Sequence, residues 1–463
     1  MAGTFGSFGI AMSGLRYSQV AIDVASNNVS NVGTEGYVRR RVVGESVASD
    51  ANPGLWSRGT GIGDGVQVGG VNRMVDQLLD VRARKEHGTQ SALNASLEIM
   101  NRIEAGLGEP GDKGINAALA DFRASWQNLS NNPGNAAARE QVLASANTLV
   151  DTVRQQGSHL SSEESAVRQR LLVDVGEVNT LAADLAATNR SIAAAKLAGV
   201  EAGTLLDQRD RLAMSLSELT GGTATIRPDG GFDFAVGGVN LVTGRDAGTL
   251  DMVTGVNPDG TGDGNPVTFQ ITTSAGVTPL AGVAGSIGSQ ADAVDRVIPN
   301  YRAGLNDVIT TLANEINTRH QGGFDLAGNP GGALFSFNPA DPVGSLAVAI
   351  TDGSLVAASS IAGGGLDGGN ADLLATTSTV ETSYQRLVAV FGTEVASAKR
   401  LAGNQAVLTA QIDNTRESLS GVSIDEEMVN LMAAQRSYEA ASRVITTLDS
   451  VLDTLINRTG LVR

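Results

Sequence analysis

The side chains that most often do chemistry are few in this 463-residue chain, and their spacing is poor for catalysis. The 3 histidines, His87, His159 and His320, form no His-Glu-x-x-His pattern and no close pair that could grip a metal. His320, in the run NTRHQGGF, reads as a turn or packing residue. With 0 cysteines there can be no thiolate metal site and no disulfide framework. Gly59, Gly61, Gly63 and Gly65 alternate in GTGIGDG, which fits neither the dinucleotide-binding loop nor the phosphate-cradling Walker loop. Asp207 and Asp210 could share a helix face as an acid/base pair. Because Arg209 and Arg211 are interleaved with them, a solvated ion-pair network is the expectation. The short basic run Arg39 to Arg41 is read as subunit contacts or solvent exposure. These residues point to a protein that is not an enzyme and uses no cofactor and no metal.

Composition limits the partners. The net charge of −16 and the pI near 4.7 argue against nucleic acid, whose phosphates need a basic surface. No apolar run reaches the roughly 18 residues that span a bilayer, so no membrane insertion is expected. The N-terminus lacks the basic and apolar regions of a cleaved signal, so export would take a route without one. Aromatics are 4% of the chain, and a core of Ala, Leu, Val and Ile suits long helices packed side by side.

Those helices are legible at both ends. Phe5, Phe8, Met12, Leu15, Gln19, Ile22, Ser26 and Val29 recur at steps of three and four, the seam of a coiled coil, with Asn27, Asn28, Asn31 and Gly33 closing the helix. At the other end Ser423 and Glu426 have capping-box spacing. A second seam runs through Met428, Leu431, Gln435, Tyr438, Ala441, Ile445, Leu448, Leu452 and Leu455, with Arg458 and Gly460 at its end. Two heptad helices at opposite ends, each without a neighbour in sequence, are expected to pair with each other.

Between them, residues 135–200 read as one or two very long helices, with Gly157 or Gly176 as a kink or break, and Leu205 to Leu219 as a shorter helix closed by Gly221 and Gly222. Short β-prone runs follow from Thr223 to about Val283. Helix returns from Ala284 to Gln321 with Pro299 as a kink, then comes an irregular stretch, then a long helix from Ala371 to Leu419. The expected fold is mainly α with a small β-rich part, as an elongated rod-like subunit. Its parts are a terminal coiled coil (1–40 with 420–463), a helical-bundle domain (41–222 with 284–419, of which 322–370 is irregular with short strands) and an inserted β-rich lobe (223–283).

The stretch SGLRYSQVAIDVASNNVSNVGTEGYVRR, with its Ser13-Gly14-Leu15, Ser26-Asn27-Asn28, Asn31 and Gly36-Tyr37, resembles the N-terminal motif of flagellar rod, hook and hook-associated proteins. Residues 420–457 are similar to the C-terminal motif of the same axial family. Two inner stretches, LLDQRDRLAMSLSELTGG and LANEINTRHQGGFDLAGNPGGALF, resemble the FlgK family of hook–filament junction proteins, as does the Tyr37-Val38-Arg39-Arg40 ending. The resemblance weakens from about Thr223 to Leu280, where the family often carries larger β-rich insertions. It implies a structural adaptor that assembles helically with copies of itself and meets the hook protein on one side and the second hook–filament junction protein on the other. It implies type III export with a cytoplasmic chaperone on the C-terminal helix, and an extracellular place in the flagellum. The assembly interface would use Phe8, Met12, Leu15, Ile22, Val29, Asn27, Asn28, Asn31, Gly36, Tyr37, Met428, Leu431, Gln435, Tyr438, Ile445, Leu448, Leu452 and Leu455. A hook or rod axial protein is the nearest alternative, though the LLDQRDRL helix argues against it. A flagellum-borne enzyme such as a wall hydrolase would need a catalytic cluster, and none is visible between Thr223 and Val283.

Overall fold

The computed structural model describes residues 2–47, 63–363 and 365–457. It is mainly helical. Helix α1 (Ala2–Ser30) leads into an antiparallel hairpin of β1 (Arg40–Ser46) and β2 (Val66–Arg73), with a bulge at Val43/Gly44. Helices α2 (Gln77–Leu107), α3 (Ile115–Asn131), α4 (Ala136–Leu197) and α5 (Gly203–Thr220) follow. The β-rich segment forms two antiparallel sheets. The first is four-stranded, with β3 (Thr223–Ile226), β4 (Phe232–Val236), β5 (Val239–Thr243) and β6 (Asp246–Ala247) in that order. The second is three-stranded, with β7 (Thr249–Thr254), β8 (Thr268–Thr273) and β9 (Gly276–Pro279). The chain then returns through α6 (Gly285–Asp292) and α7 (Ile298–Gln321), a small ribbon of β10 (Phe335–Ser336) and β11 (Ala347–Val348) enclosing α8 (Pro342–Ser345), and α9 (Gly369–Ala375). It ends in α10 (Thr379–Ser420) and α11 (Ile424–Asn457).

Helix α4 is the spine. Its 62 residues would span about 93 Å at 1.5 Å per residue. The Asn135 side chain caps it by accepting from the Ala137 N–H. Neither Gly157 nor Gly176 breaks it. Gly157 instead permits close packing, since a Cβ there would lie 2.5 Å from Cγ1 of Val343 on α8. Two amides of α4, the buried Asn189 and the half-buried Asn179, dock the β-rich segment. Asn189 donates to the carbonyls of Phe232 (2.8 Å) and Gly244 (2.5 Å) and accepts from the Phe232 N–H, while Asn179 pairs with both backbone groups of Leu250. Phe232, Phe234, Leu250 and Ile271 therefore share one continuous core with Val142, Leu160, Leu171 and Leu185.

Two expected helices differ in detail. Ahead of Pro299 the chain makes a π-helical turn at Ala293–Val297, where the wider spacing accommodates a residue with no N–H. The expected helix from Ala371 is interrupted between Ala375 and Thr379, so α9 and α10 are separate. The hairpin of β1 and β2 was not anticipated. It packs on α1, so a boundary at residue 41 would cut through β1. Gly59 and Gly61 of the glycine run, and Arg458 and Gly460, lie outside the described residues.

Candidate assembly interface

Helices α1 and α11 pack against each other along their lengths. The covered stripe of α1 is Ala11, Ser18, Ala25 and Asn28, all buried. Heptad spacing of small side chains lets two helix backbones approach closely. Leu15, Ile22 and Val29 alternate with that stripe and are half-buried, as are Phe8, Met12 and Asn31, while Gln19, Asn27 and Gly36 are exposed. On α11, Leu431, Ala434, Ala441, Ile445, Leu448 and Leu452 are half-buried against α1, and of Leu455 only the backbone is described. Met428, Gln435 and Tyr438 are exposed, alongside Val429, Met432, Val444 and Val451. The pair thus leaves Met428, Val429, Met432, Val444 and Val451 uncovered on an outer face that also carries Arg436, Glu439 and Arg443.

The Asn- and Gly-rich turn after α1 is held by a closed hydrogen-bond set. Asn28 Nδ2 donates to the Arg40 carbonyl and to Glu427 Oε2, both at 2.9 Å. Asn28 Oδ1 accepts from the Arg40 N–H (3.1 Å) and the Tyr37 hydroxyl (2.9 Å). Asn27 Oδ1 accepts from Tyr37 and Asn31, and Asn31 accepts from Thr34. Gly36 has φ +72°, and a Cβ there would press on Arg211 at 2.6 Å, so glycine serves both the left-handed turn and the close approach. Burial raises the Tyr37 hydroxyl above its ordinary value and keeps it a donor. Arg39 reaches across to Glu426 and Glu427, each at 2.7 Å. Burial disfavours its charge, but Glu426 and Glu427 outweigh that and hold it above the usual arginine range. Glu426 is thereby committed to Arg39, and the Ser423 hydroxyl caps α11 through the Glu426 N–H alone.

A second knot ties the hairpin to α5. Asp207 accepts from Arg40 (3.1 Å) and sits 2.6 Å from Arg73, which also reaches Asp210 at 2.8 Å. Arg209 binds Asp210 at 2.6 Å. Asp207 is 2% exposed and Arg209 6%, so this is a buried network, where the alternation of signs had suggested a solvated one. Arg39 and Arg40 are likewise engaged within the chain, and Arg41 alone of that run is exposed.

The histidines take structural positions. His320 is fully buried, donating from Nδ1 to the Gly332 carbonyl (2.7 Å) and accepting at Nε2 from the Ala357 N–H (2.9 Å), and burial lowers its proton affinity. The His159 ring lies against Gly106. His87 on α2 sits between Glu218 of α5, 3.3 Å from Nδ1, and Asp413 of α10, 3.0 Å from Nε2. A neutral ring has one N–H and can satisfy only one of them, so the protonated ring fits best. The Glu218 hydrogen bond, with Asp413 and against burial, raises its pKa. A raised folded pKa means stability fully present below the unfolded histidine value of about 6.5 and lost as pH rises through the folded value. Wild type is therefore expected to lose unfolding free energy on raising the pH from that value, and His87→Gln to lose less; denaturant titrations across pH would detect it, and parallel profiles would refute it. Among the described residues, no group of three or more His, Cys, Asp or Glu could hold a metal, and no helix is long and apolar enough to cross a membrane.

The sequence model of the "Flagellar hook-associated protein FlgK helical domain" matches residues 100–335, just over half of the chain. The chain belongs to the FlgK family. The first knot lies outside that match, the second ties Arg40 and Arg73 outside it to Asp207 and Asp210 within it, and the terminal helices match separate models. Residues 8–37 match "Flagella basal body rod protein", and residues 416–458 match "Flagellar basal body rod FlgEFG protein C-terminal". Flagellar hook-associated protein 1 of Bacillus subtilis is 29% identical over 100% of this chain and 99% of its own length. The Escherichia coli protein of the same name is 25% identical over 96% and 98%. The flagellar hook junction protein FlgK from Burkholderia pseudomallei shares the fold at TM-score 0.63, with 16% identity, over 73% of this chain and 100% of that structure. This FlgK-family chain is a structural component of the bacterial flagellum.

Proposed function

We propose that this chain joins hook to filament by head-to-tail self-assembly, with the α1–α11 pair as the assembly surface. The observation that carries the reading is the set of apolar side chains that α11 leaves uncovered. A helix already paired with α1 still exposes Met428, Val429, Met432, Val444 and Val451. Exposed apolar surface of that kind marks a contact with another protein, and repeated heterologous contacts build rings or open helical arrays. In this reading α1 and α11 meet equivalent helices of neighbouring copies, the hook protein lies on one side and the second hook–filament junction protein on the other. Of the expected residues, those half-buried between α1 and α11 set the pair, and Met428, Gln435 and Tyr438 face outward. Asn27, Asn28, Asn31, Gly36 and Tyr37 fix the angle at which the pair leaves the rest of the chain. Export through the flagellar type III apparatus, with a chaperone guarding the uncovered apolar side chains of α11, belongs to the same proposal. So does the division into a terminal unit, a helical unit and a β-rich unit, with the hairpin of β1 and β2 at the first joint.

Electron microscopy of cells lacking the gene is the direct test. Hooks without filaments are expected, with filament subunits lost to the medium. Normal filaments on those hooks would end the proposal.

A further inference from the structure

Arg84, on α2, is 6% exposed. Among the described residues Arg84 makes no hydrogen bond and no ion pair, and its Cζ lies 5.2 Å from the centroid of the Phe232 ring. Arg209 stacks on the same ring at 3.8 Å but is neutralised by Asp210. The carboxylates nearest Arg84 are engaged elsewhere: Asp80 with Arg416 at 2.9 Å, and Asp210 with Arg73 and Arg209. Burial pulls Arg84 below the usual arginine range, against the pull of Asp210 and Asp80. A mostly buried cation with no protein partner is unfavourable, and its nitrogens are not among the fully buried atoms, so they open onto a cleft.

The side chain lines a cleft of about 470 Å³ between β2, α2, α5 and β4. Val71, Leu206, Ile226 and Phe232 supply apolar walls; Arg73 and Arg209 also line it but are paired with Asp207 and Asp210, and Asp80 and Glu201 are on its rim, so Arg84 is the lining cation without an ion pair. The planar guanidinium of arginine matches a carboxylate with two parallel hydrogen bonds. Apolar walls around it suit a carboxylate on a short aliphatic chain.

We propose that this cleft is a receptor for one carboxylate group, bound by Arg84. The carboxylate comes either from an acidic side chain of a second copy or from a small carboxylate in solution; the first source rests on the proposed self-assembly, while the binding itself does not.

Thermal unfolding of the full chain in sodium acetate and in sodium chloride of equal ionic strength tests the binding. Acetate is expected to raise the wild-type midpoint by about 1–3 °C over chloride, as a ligand of the folded state alone would. Arg84→Met should show the same midpoint in both salts, and in chloride it should not fall below wild type, because a neutral side chain of similar length removes an unpaired charge. Equal wild-type midpoints in the two salts, or an acetate shift that survives in Arg84→Met, overturns the proposal. Assembly then separates the sources. If acetate slows wild-type assembly and Arg84→Met assembles slowly in either salt, the second copy supplies the carboxylate. If assembly is indifferent to both while the monomer still responds to acetate, a small carboxylate is the ligand. A chain that does not assemble at all would defeat the proposed function and leave the monomer's salt response standing.

Discussion

Asp207→Ala is expected to cost about 3–5 kcal/mol, the largest stability loss of any single change at the joint, because it removes the carboxylate that two buried cations share. Asp207 Oδ1 lies 2.6 Å from Arg73 and Oδ2 3.1 Å from Arg40, and both guanidiniums are at most one-tenth exposed. Burial works against the charge of Arg73, and Asp210 and Asp207 together more than compensate, so its proton affinity stands above the usual arginine range. With Asp207 gone, Arg73 keeps Asp210, while Arg40 keeps the neutral Thr204 hydroxyl at 3.1 Å and, as its one carboxylate, the more distant Glu201 at 3.8 Å. The rational escape for the chain is to undock β1 and β2 and hydrate both arginines. The loss should therefore appear first as fast amide exchange in residues 40–46 and 66–73, with the core around α4 still protected. Asp207→Asn, which keeps the hydrogen-bond acceptor and loses the charge, should fall between wild type and alanine. Unchanged exchange in the hairpin of Asp207→Ala would mean that the network is decorative.

This joint also marks the limit of what could be read from residues alone. Long helices announce themselves through repeated apolar spacing, and α4, α5 and α11 lie where that spacing put them. The hairpin does not announce itself. RRVVGES and VQVGGVNR are short, carry glycine and charge, and alternate only weakly. Their pairing rests on contacts with α1 and α5 that are distant in sequence. Asp207-Gln208-Arg209-Asp210-Arg211 looks like surface because charge is usually solvated, and only the arrival of Arg40 and Arg73 makes burial tolerable. The terminal pair shows a subtler gap. A search for large apolar residues finds Leu15, Ile22 and Val29, but apart from Asn28 the most covered positions of α1 are Ala11, Ser18 and Ala25, whose small size lets α11 come close. The Asn28–Tyr37–Glu427 set belongs to neither class. Asn28 and Tyr37 stand out through family resemblance and Glu427 does not, and their hydrogen bonds become visible only when the two ends of the chain meet.

Met432→Asp and Leu448→Asp are expected to abolish incorporation at the hook tip for different reasons, and the difference separates assembly from folding. Met432 is 46% exposed on the uncovered face of α11, so a charge there stays hydrated in the free chain. Such surface changes are usually within about 0.5 kcal/mol, and the thermal transition should not move. In the assembly the same carboxylate would face an apolar neighbour, and burying it unpaired costs several kcal/mol. Leu448 is half-buried between α11 and α1, so its replacement acts before any neighbour arrives. An isolated helix pair is marginal, and most of its stability comes from the packed face, so α1 and α11 should part. The helices around α4 have their own continuous core, which includes no residue of α1 or α11, and their main unfolding transition should remain close to wild type. Hydrogen exchange resolves the two cases. Met432→Asp should keep wild-type protection in residues 11–28, and Leu448→Asp should lose it. Both strains should carry hooks without filaments and release subunits to the medium. If Met432→Asp assembled normally, the uncovered face would not be the contact between copies. If Leu448→Asp unfolded the whole chain, the terminal pair would be part of the main core and could not serve as an independent assembly unit.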